Sequence, residues 1–321
     1  MENILKSTNG QSPNFEIQYA QSLQNILYNC VLTKNRTGTD TLVIQHQYFF
    51  LEKISQNFPI LKGKKVFPKL ALKELLWMMN GLSDVKWLND RGVTYWNEWA
   101  STGKGWNFNI PIGTIGKSYG YQMRNFNGCD QLQDLLTLMK NDPESRRLII
   151  SLWNPSELVD TTLPPCVHQY HFNCEKTQSK IKDFDFNNDY YEVDLHVVAR
   201  SEDSFLGQPY DFMSVAWKLT IICNLVSEFS GNVYHPRNIH YTANNYHLYV
   251  NHIDQTKQYL QNVTENKNNI INKQATVAIG NNYCRTLDEF LEISDNNQYK
   301  NFWINKFYTD QYESILAPIA I

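Results

Sequence analysis

Cys166 follows two prolines in LPPCVHQYH, residues 163–171, so its thiol sits on stiffened backbone at the mouth of a strand, where a nucleophile can be held exposed. A lone cysteine is more often inert packing. Arg146 and Arg147 open a second strand in PESRRLII, and Arg200 and Ser201 close a third. Guanidinium forks beside a hydroxyl suit a phosphate dianion, although surface salt bridges are the commoner use. Glu74 lies among apolar residues in KELLWMM, where a carboxylate is either paired or a proton carrier with a raised pKa, and pattern alone does not choose. Asp211 ends RSEDSFLGQPYD, directly before the apolar run FMSVAWKLTIICNLV. His168 and His171 form an HxxH pair, but strand alternation sends them to opposite faces, so no metal site is expected.

The chain that must position these groups has 321 residues, 42% hydrophobic and 13% aromatic, enough for one large core, and one domain over 1–321 is expected. A net charge of -3 with scattered basic residues offers no field for polyanions and no polybasic block for a membrane surface. The N-terminal residues carry no apolar leader; the most apolar run, 212–225, is short for a span and contains Lys218 and Asn224, so a cytoplasmic protein is expected. Six cysteines without a CxxC pair indicate reduced thiols rather than a zinc site or a disulfide framework.

Helical spacing marks 14–31; 71–81, stopped by Gly81; 83–92, capped by Ser83 or Asp84; 130–143, ended by Pro143; 210–229, long and buried; and 247–260, facing the surface. Strand patterns mark 39–52, 147–153, 168–174 and 190–199. Residues 174–190 form a polar protruding hairpin loop, and the Asn-rich 261–273 another loop. Strands and helices segregate rather than alternate, which predicts an α+β fold.

Nine blocks then occur in one order: NRTGTDT (35–41), KELLWMMNG (73–81), VTYWNEWAS (93–101), SYGYQMR (118–124), PESRRLIISLWNP (143–155), LPPC (163–166), RSEDSFLGQP (200–209), YHLYVNH (246–252) and APIAI (317–321). Together they resemble the thymidylate synthase family from residue 35 to the last residue. The resemblance implies a large mixed sheet packed with helices, the sheets of two subunits lying back to back in a homodimer. It implies a pyrimidine nucleoside monophosphate as substrate and 5,10-methylenetetrahydrofolate as one-carbon donor, with no membrane or nucleic acid required. Cys166 would add to C6 of the base, making C5 the nucleophile that takes up the one-carbon unit. Arg36, Arg200 and Ser201 would hold the phosphate, joined by Arg146 and Arg147 from the partner chain. Glu74 would organise water and proton transfers, Tyr119 would lie near the nucleophile and the C5 proton, and His247 and Tyr249 would bind the ribose 3'-hydroxyl. Trp96, Trp99, Asp203, Leu206, Gly207 and Tyr210 match the folate surface, with Ile321 closing a C-terminal lid over 317–321.

Two departures from the family pattern concern the base. The synthases carry Asn where this chain has Asp211; that amide donates to uracil O4 and its oxygen accepts from N3–H. A carboxylate instead accepts from cytosine N4–H and shares a proton with N3, and the deoxycytidylate hydroxymethylases of phages carry Asp here. The bland reading, a carboxylate favoured by the helix macrodipole, is worth only ~0.3–1 kcal/mol, and Asn would cap as well. Val167 stands where the synthases place a histidine after the cysteine. Conversion of dCMP to 5-hydroxymethyl-dCMP is therefore expected, in host cytoplasm if the source is viral. Methylation of dCMP and of dUMP stay as alternatives, because Trp96, Trp99 and APIAI are those of methylating members while Asn97 and Met123 depart from them. From other classes, a Cys/His hydrolase lacks a partner histidine at Val167, and an inactive nucleotide- or RNA-binding relative would not need Cys166, Glu74 and Tyr119 intact.

Overall fold

The computed structural model describes residues 14–35, 37–101, 110–177, 188–272, 276–279, 286–295, 302–306, 315, 317 and 318. Strands β1 (Val31–Thr33), β2 (Thr41–Leu51), β3 (Ile149–Ser151), β4 (Val167–Thr177), β5 (Tyr190–Ala199), β6 (Glu202–Asp203) and β7 (Val233–Tyr249) form one sheet. Its order is β1-β2-β7-β5-β4-β3, with β6 pairing β7. The pairs are antiparallel except β5 with β7 and β6 with β7, so the sheet is mixed. A separate antiparallel pair joins β8 (Thr276–Ile279) and β9 (Phe302–Lys306).

The helices are α1 (Phe15–Asn29), α2 (Pro68–Met79), α3 (Lys86–Asn89), α4 (Asn97–Ser101), α5 (Tyr119–Arg124), α6 (Gln131–Asn141), α7 (Gln208–Ser230), α8 (Ile253–Glu265), α9 (Lys267–Asn272) and α10 (Leu287–Asp295). This is the α+β class expected. Helix α7 packs on β7 and β5, α2 packs on α7, and α1 lies against β2. The α7 helix is 23 residues long and apolar enough to cross a membrane by length and composition, more than the run 212–225 suggests, yet most of it is buried inside the protein. Along β5 the odd-numbered Tyr191 to Ala199 are buried and the even-numbered residues are half-buried, so the sheet has one core face. The other face carries His171, His196 and His240, with the last two rings stacked 4.3 Å apart, and Tyr48 at its edge.

Several expectations are corrected. The segment 83–92 supplies only the single turn of α3, although the Asp84 carboxylate does accept from Trp87 N at 3.2 Å. Helix α8 begins at Ile253, because residues 247–249 finish β7. The Asn-rich 261–273 is largely helical, ending α8 and forming α9, since buried Ile270 is held there by Asn14 and Lys62 on its carbonyl. Residues 174–177 and 190 belong to paired strands, as far as Thr177↔Tyr190; residues 178–187 of the expected loop lie outside the described residues. Gly81 does stop α2, in the left-handed region at φ +72.

Candidate active site

The loop before β4 delivers Cys166, and three contacts fix it. Its backbone N–H donates to the Tyr119 hydroxyl at 2.8 Å. Its carbonyl accepts from Arg200 N at 2.8 Å, because a bulge between Val167 and Gln169 sets the end of β5 opposite the cysteine. The Arg200 side chain donates Nε to Pro165 O at 2.9 Å and Nη2 to Pro164 O at 2.8 Å, which leaves Nη2 3.8 Å from Sγ. A permanent cation thus stands beside a sulfur whose thiolate is its nucleophilic form.

Tyr119 is placed by close helix packing. A Cβ on Gly120 would come within 2.9 Å of Met78 Cα and Met78 O, so only glycine lets α5 lie this near α2. Ser118 Oγ ties the start of α5 to Leu163 O at 2.9 Å, joining tyrosine and cysteine loops. On α2, Glu74 is 8% exposed and accepts from Trp96 Nε1 at 2.5 Å and from Tyr95 OH at 2.9 Å. Burial, and then the charge of Asp211, push Glu74 up to about 7, opposed by those two hydrogen bonds and by Lys218. A carboxyl so poised exchanges protons near neutrality.

Asp211 occupies the first turn of α7 and keeps part of its surface open. Burial raises it to about 6, while a hydrogen bond with Glu202 and the cation of Lys218 pull the other way. Glu202, on β6, is 2% exposed and accepts from Tyr241 OH. Sequence reasoning passed over Glu202 and read Lys218 only as an interruption in an apolar run. The available signals were a carboxylate inside RSEDSFLGQP and the Asp211–Lys218 spacing of two helical turns.

The remaining expected residues divide. Tyr95 and Tyr210 rings lie 6.1 Å apart, and Trp99, Leu206 and Tyr210 pack on the core while partly exposed, with Trp96 nearly buried. Asp203 is engaged locally, accepting from Phe205 N and Leu206 N, just before Gly207 leads into α7. Ser201 follows Arg200 in the turn between β5 and β6. On β7, Asn245 takes φ +40, and the buried positions switch from Ile239, Tyr241 and Ala243 to Tyr246 and Leu248, leaving His247 and Tyr249 only half-buried, their rings 5.3 Å apart. Arg146 and Arg147 are exposed before β3. Arg36 and Ile321 lie outside the described residues, though Pro318 O, three residues before the end, is bonded to His252 Nε2 at 2.6 Å. His168 stands by the Trp153 ring and His171 by His196, and no cluster of three metal-type side chains occurs among the described residues.

Comparison with known proteins identifies the family. The family model described as Thymidylate synthase matches residues 17–305. The chain belongs to the thymidylate synthase family. It is 34% identical over 270 residues to the thymidylate synthase of Mycoplasma genitalium, covering 77% of this chain and 86% of that protein. It is 32% identical over 266 residues to the thymidylate synthase of Malacoplasma penetrans, covering 76% and 84%. Members of this family are one-carbon methyltransferases that use 5,10-methylenetetrahydrofolate, and this chain is a folate-dependent enzyme of C5 one-carbon transfer.

Proposed function

We propose that the enzyme acts on dCMP, with Cys166 as the nucleophile at C6 and Asp211 as the reader of the cytosine edge. The observation that carries this reading is a partly open carboxylate at the start of α7, within the cluster of Glu74, Glu202 and Lys218 and facing Tyr119, which holds the Cys166 backbone. Cytosine presents a donor at N4 and an acceptor at N3; a carboxylate with a pKa of about 6 accepts from the first and shares a proton with the second. Arg36, Arg200 and Ser201 hold the phosphate, and His247 and Tyr249 the ribose. Tyr119, whose hydroxyl already faces the cysteine backbone, handles the C5 proton with Glu74.

The partly exposed aromatic and apolar surface of Trp99, Leu206 and Tyr210, backed by Trp96 and Tyr95, fits a flat heteroaromatic cofactor. Asp203 and Gly207 border it, and Ile321 closes over it. When bound there, 5,10-methylenetetrahydrofolate supplies the one-carbon unit and, for methylation, the hydride. We favour the hydroxymethyl product, completed by water: Asn97 Oδ1, one residue after Trp96, is buried without a partner among the described residues and suits a water. Methylation of dUMP is the second reading, favoured by the relatives above.

The chain acts as one catalytic domain in a homodimer. The sheet face of half-buried His171, His196 and His240 and exposed Tyr48 is the surface a second sheet would cover, and exposed Arg146 and Arg147 are placed to serve the neighbouring site.

Incubation with methylenetetrahydrofolate and either 5-fluoro-dCMP or 5-fluoro-dUMP tests the proposal, because fluorine at C5 blocks proton loss and traps the Cys166 adduct. A folate-dependent covalent complex with the cytosine nucleotide is expected. A complex with the uracil nucleotide alone supports the second reading, and no complex with either points to a binding relative. Glu74→Gln is expected to lower kcat by about 10²-fold. Since the carboxylate form is lost as pH falls through about 7, it should also flatten the acidic limb of the kcat/KM profile. A variant that kept both rate and limb would remove Glu74 from the proton path.

A further inference from the structure

Glu202 and Lys218 form a buried device behind Asp211 that the roles above do not use. Glu202 is 2% exposed on the two-residue strand β6, bonded on one side to the Tyr241 hydroxyl and on the other to the Asp211 carboxyl. Lys218 is 1% exposed, and its Nζ has no hydrogen-bond partner among the described residues; it lies 3.2 Å above the centre of the Tyr170 ring and faces Asp211 and Glu74, whose charges oppose the burial that pushes its pKa well below the usual lysine value. A buried amine without a partner is costly, and two carboxyls in contact away from water cannot both ionise cheaply. Such groups persist where chemistry moves charge among them.

We propose that Glu202 supplies the proton that Asp211 passes to N3 of the base, and that Lys218, facing Asp211 and Glu74, is the buried amine that takes up positive charge to offset the carboxyl cluster. The inference rests on the assignment of dCMP to this site. At rest the pair holds one proton, Glu202 donating to the Asp211 carboxylate, whose other oxygen accepts from N4–H. As the Cys166 thiolate forms its bond to C6, the C5–C6 π pair becomes the C4–C5 bond and the C4–N3 π pair moves onto N3. Asp211 takes the proton of Glu202 and passes it to N3. The result is a neutral enamine and a second carboxylate in contact with Asp211, the negative charge of sulfur having moved to Glu202, within the cluster whose Asp211 and Glu74 Lys218 faces. When sulfur leaves C6, the proton returns along the same path. Burial raises Glu202 well above the usual carboxylate value, with the Asp211 charge next in effect, which favours the protonated form at rest.

Glu202→Gln isolates the proton. The amide oxygen still accepts from Tyr241, the amide N–H still donates to Asp211, and only the transferable proton is gone. With dCMP the expected result is KM within about threefold of the parent and kcat lower by about 10²-fold, the usual share of a positioned acid. A kcat within about threefold of the parent overturns the relay, as does an equal loss in KM and thermal stability, which marks a structural carboxyl.

Lys218→Met gives a second readout. Asp211 is faced by Glu74 from α2, Glu202 and Asp203 from β6, Tyr119 from α5, Tyr170 from β4, Tyr241 from β7, Tyr95, and Lys218 on its own helix. Lys218 lowers both Glu74 and Asp211, so its loss should move the acidic limb of kcat/KM to higher pH. An unmoved limb overturns the counter-cation role. Asp211→Asn, assayed in parallel, separates the failures. If it shifts base preference while Glu202→Gln is silent, only the relay is wrong. If it leaves preference unchanged, the base assignment falls, and the relay with it.

Discussion

Cys166→Ala abolishes turnover, by about 10⁴-fold or more, while binding of the nucleotide stays within about threefold of the parent. The loop is held by the Cys166 backbone to Tyr119 and Arg200, and by Arg200 on the carbonyls of Pro164 and Pro165, while the sulfur itself accepts from Arg200 Nη2 at a longer 3.8 Å. Removing sulfur therefore deletes the nucleophile without moving the arginine proposed for the phosphate. Calorimetric titration with dCMP beside a turnover assay separates the two effects. Residual turnover near the parental rate would remove Cys166 as the bond-forming residue.

Asp211→Asn reverses base preference, lowering the ratio of kcat/KM for dCMP to that for dUMP by about 10²–10⁴-fold, from two mismatched contacts at ~1–3 kcal/mol each. The substitution is isosteric, and its neighbours tolerate it. Glu202 can donate to the new amide oxygen as it does to the carboxylate, and the amide N–H is left to face uracil O4. The new side chain has no titratable proton to share with cytosine N3, so the loss on dCMP should appear in kcat as well as KM. A competition assay with both nucleotides in one vessel reads the ratio directly. A ratio within about threefold of the parent would mean that base choice is set elsewhere.

The parts of this molecule that could be read from sequence are those in which a local pattern and the tertiary structure ask for the same residue. Helix α7 is mostly apolar because it is mostly buried, and the alternation in β5 is the imprint of one covered sheet face. Strand β7 escaped notice although it pairs with both β2 and β5. Its register shifts opposite Pro236, Asn245 interrupts its alternation, and its other face carries histidine, asparagine and threonine. The Asn-rich 261–273 misled in the opposite sense, since propensity is a weak prior that one buried contact, here Ile270, overrides.

The candidate site divides along the same line. Cys166, Glu74, Tyr119 and Asp211 stand in motifs, so each could be named from its neighbours in the chain. Glu202 and Lys218 gain their meaning from partners 39 residues away at Tyr241 and across the fold at Tyr170, contacts that no local window contains. Arginine stretches such as Arg146 and Arg147 look identical in sequence whether they face water or a neighbouring subunit, and in one chain they are exposed.

The central claim, that this member of the family modifies cytosine rather than uracil, is tested most directly by mass spectrometry of the nucleotide product. Purified enzyme is incubated with methylenetetrahydrofolate and equal amounts of dCMP and dUMP. The account predicts modified dCMP, heavier by a hydroxymethyl group, with dUMP left intact. Thymidylate as the sole product would contradict it and leave Asp211 without its role in base choice.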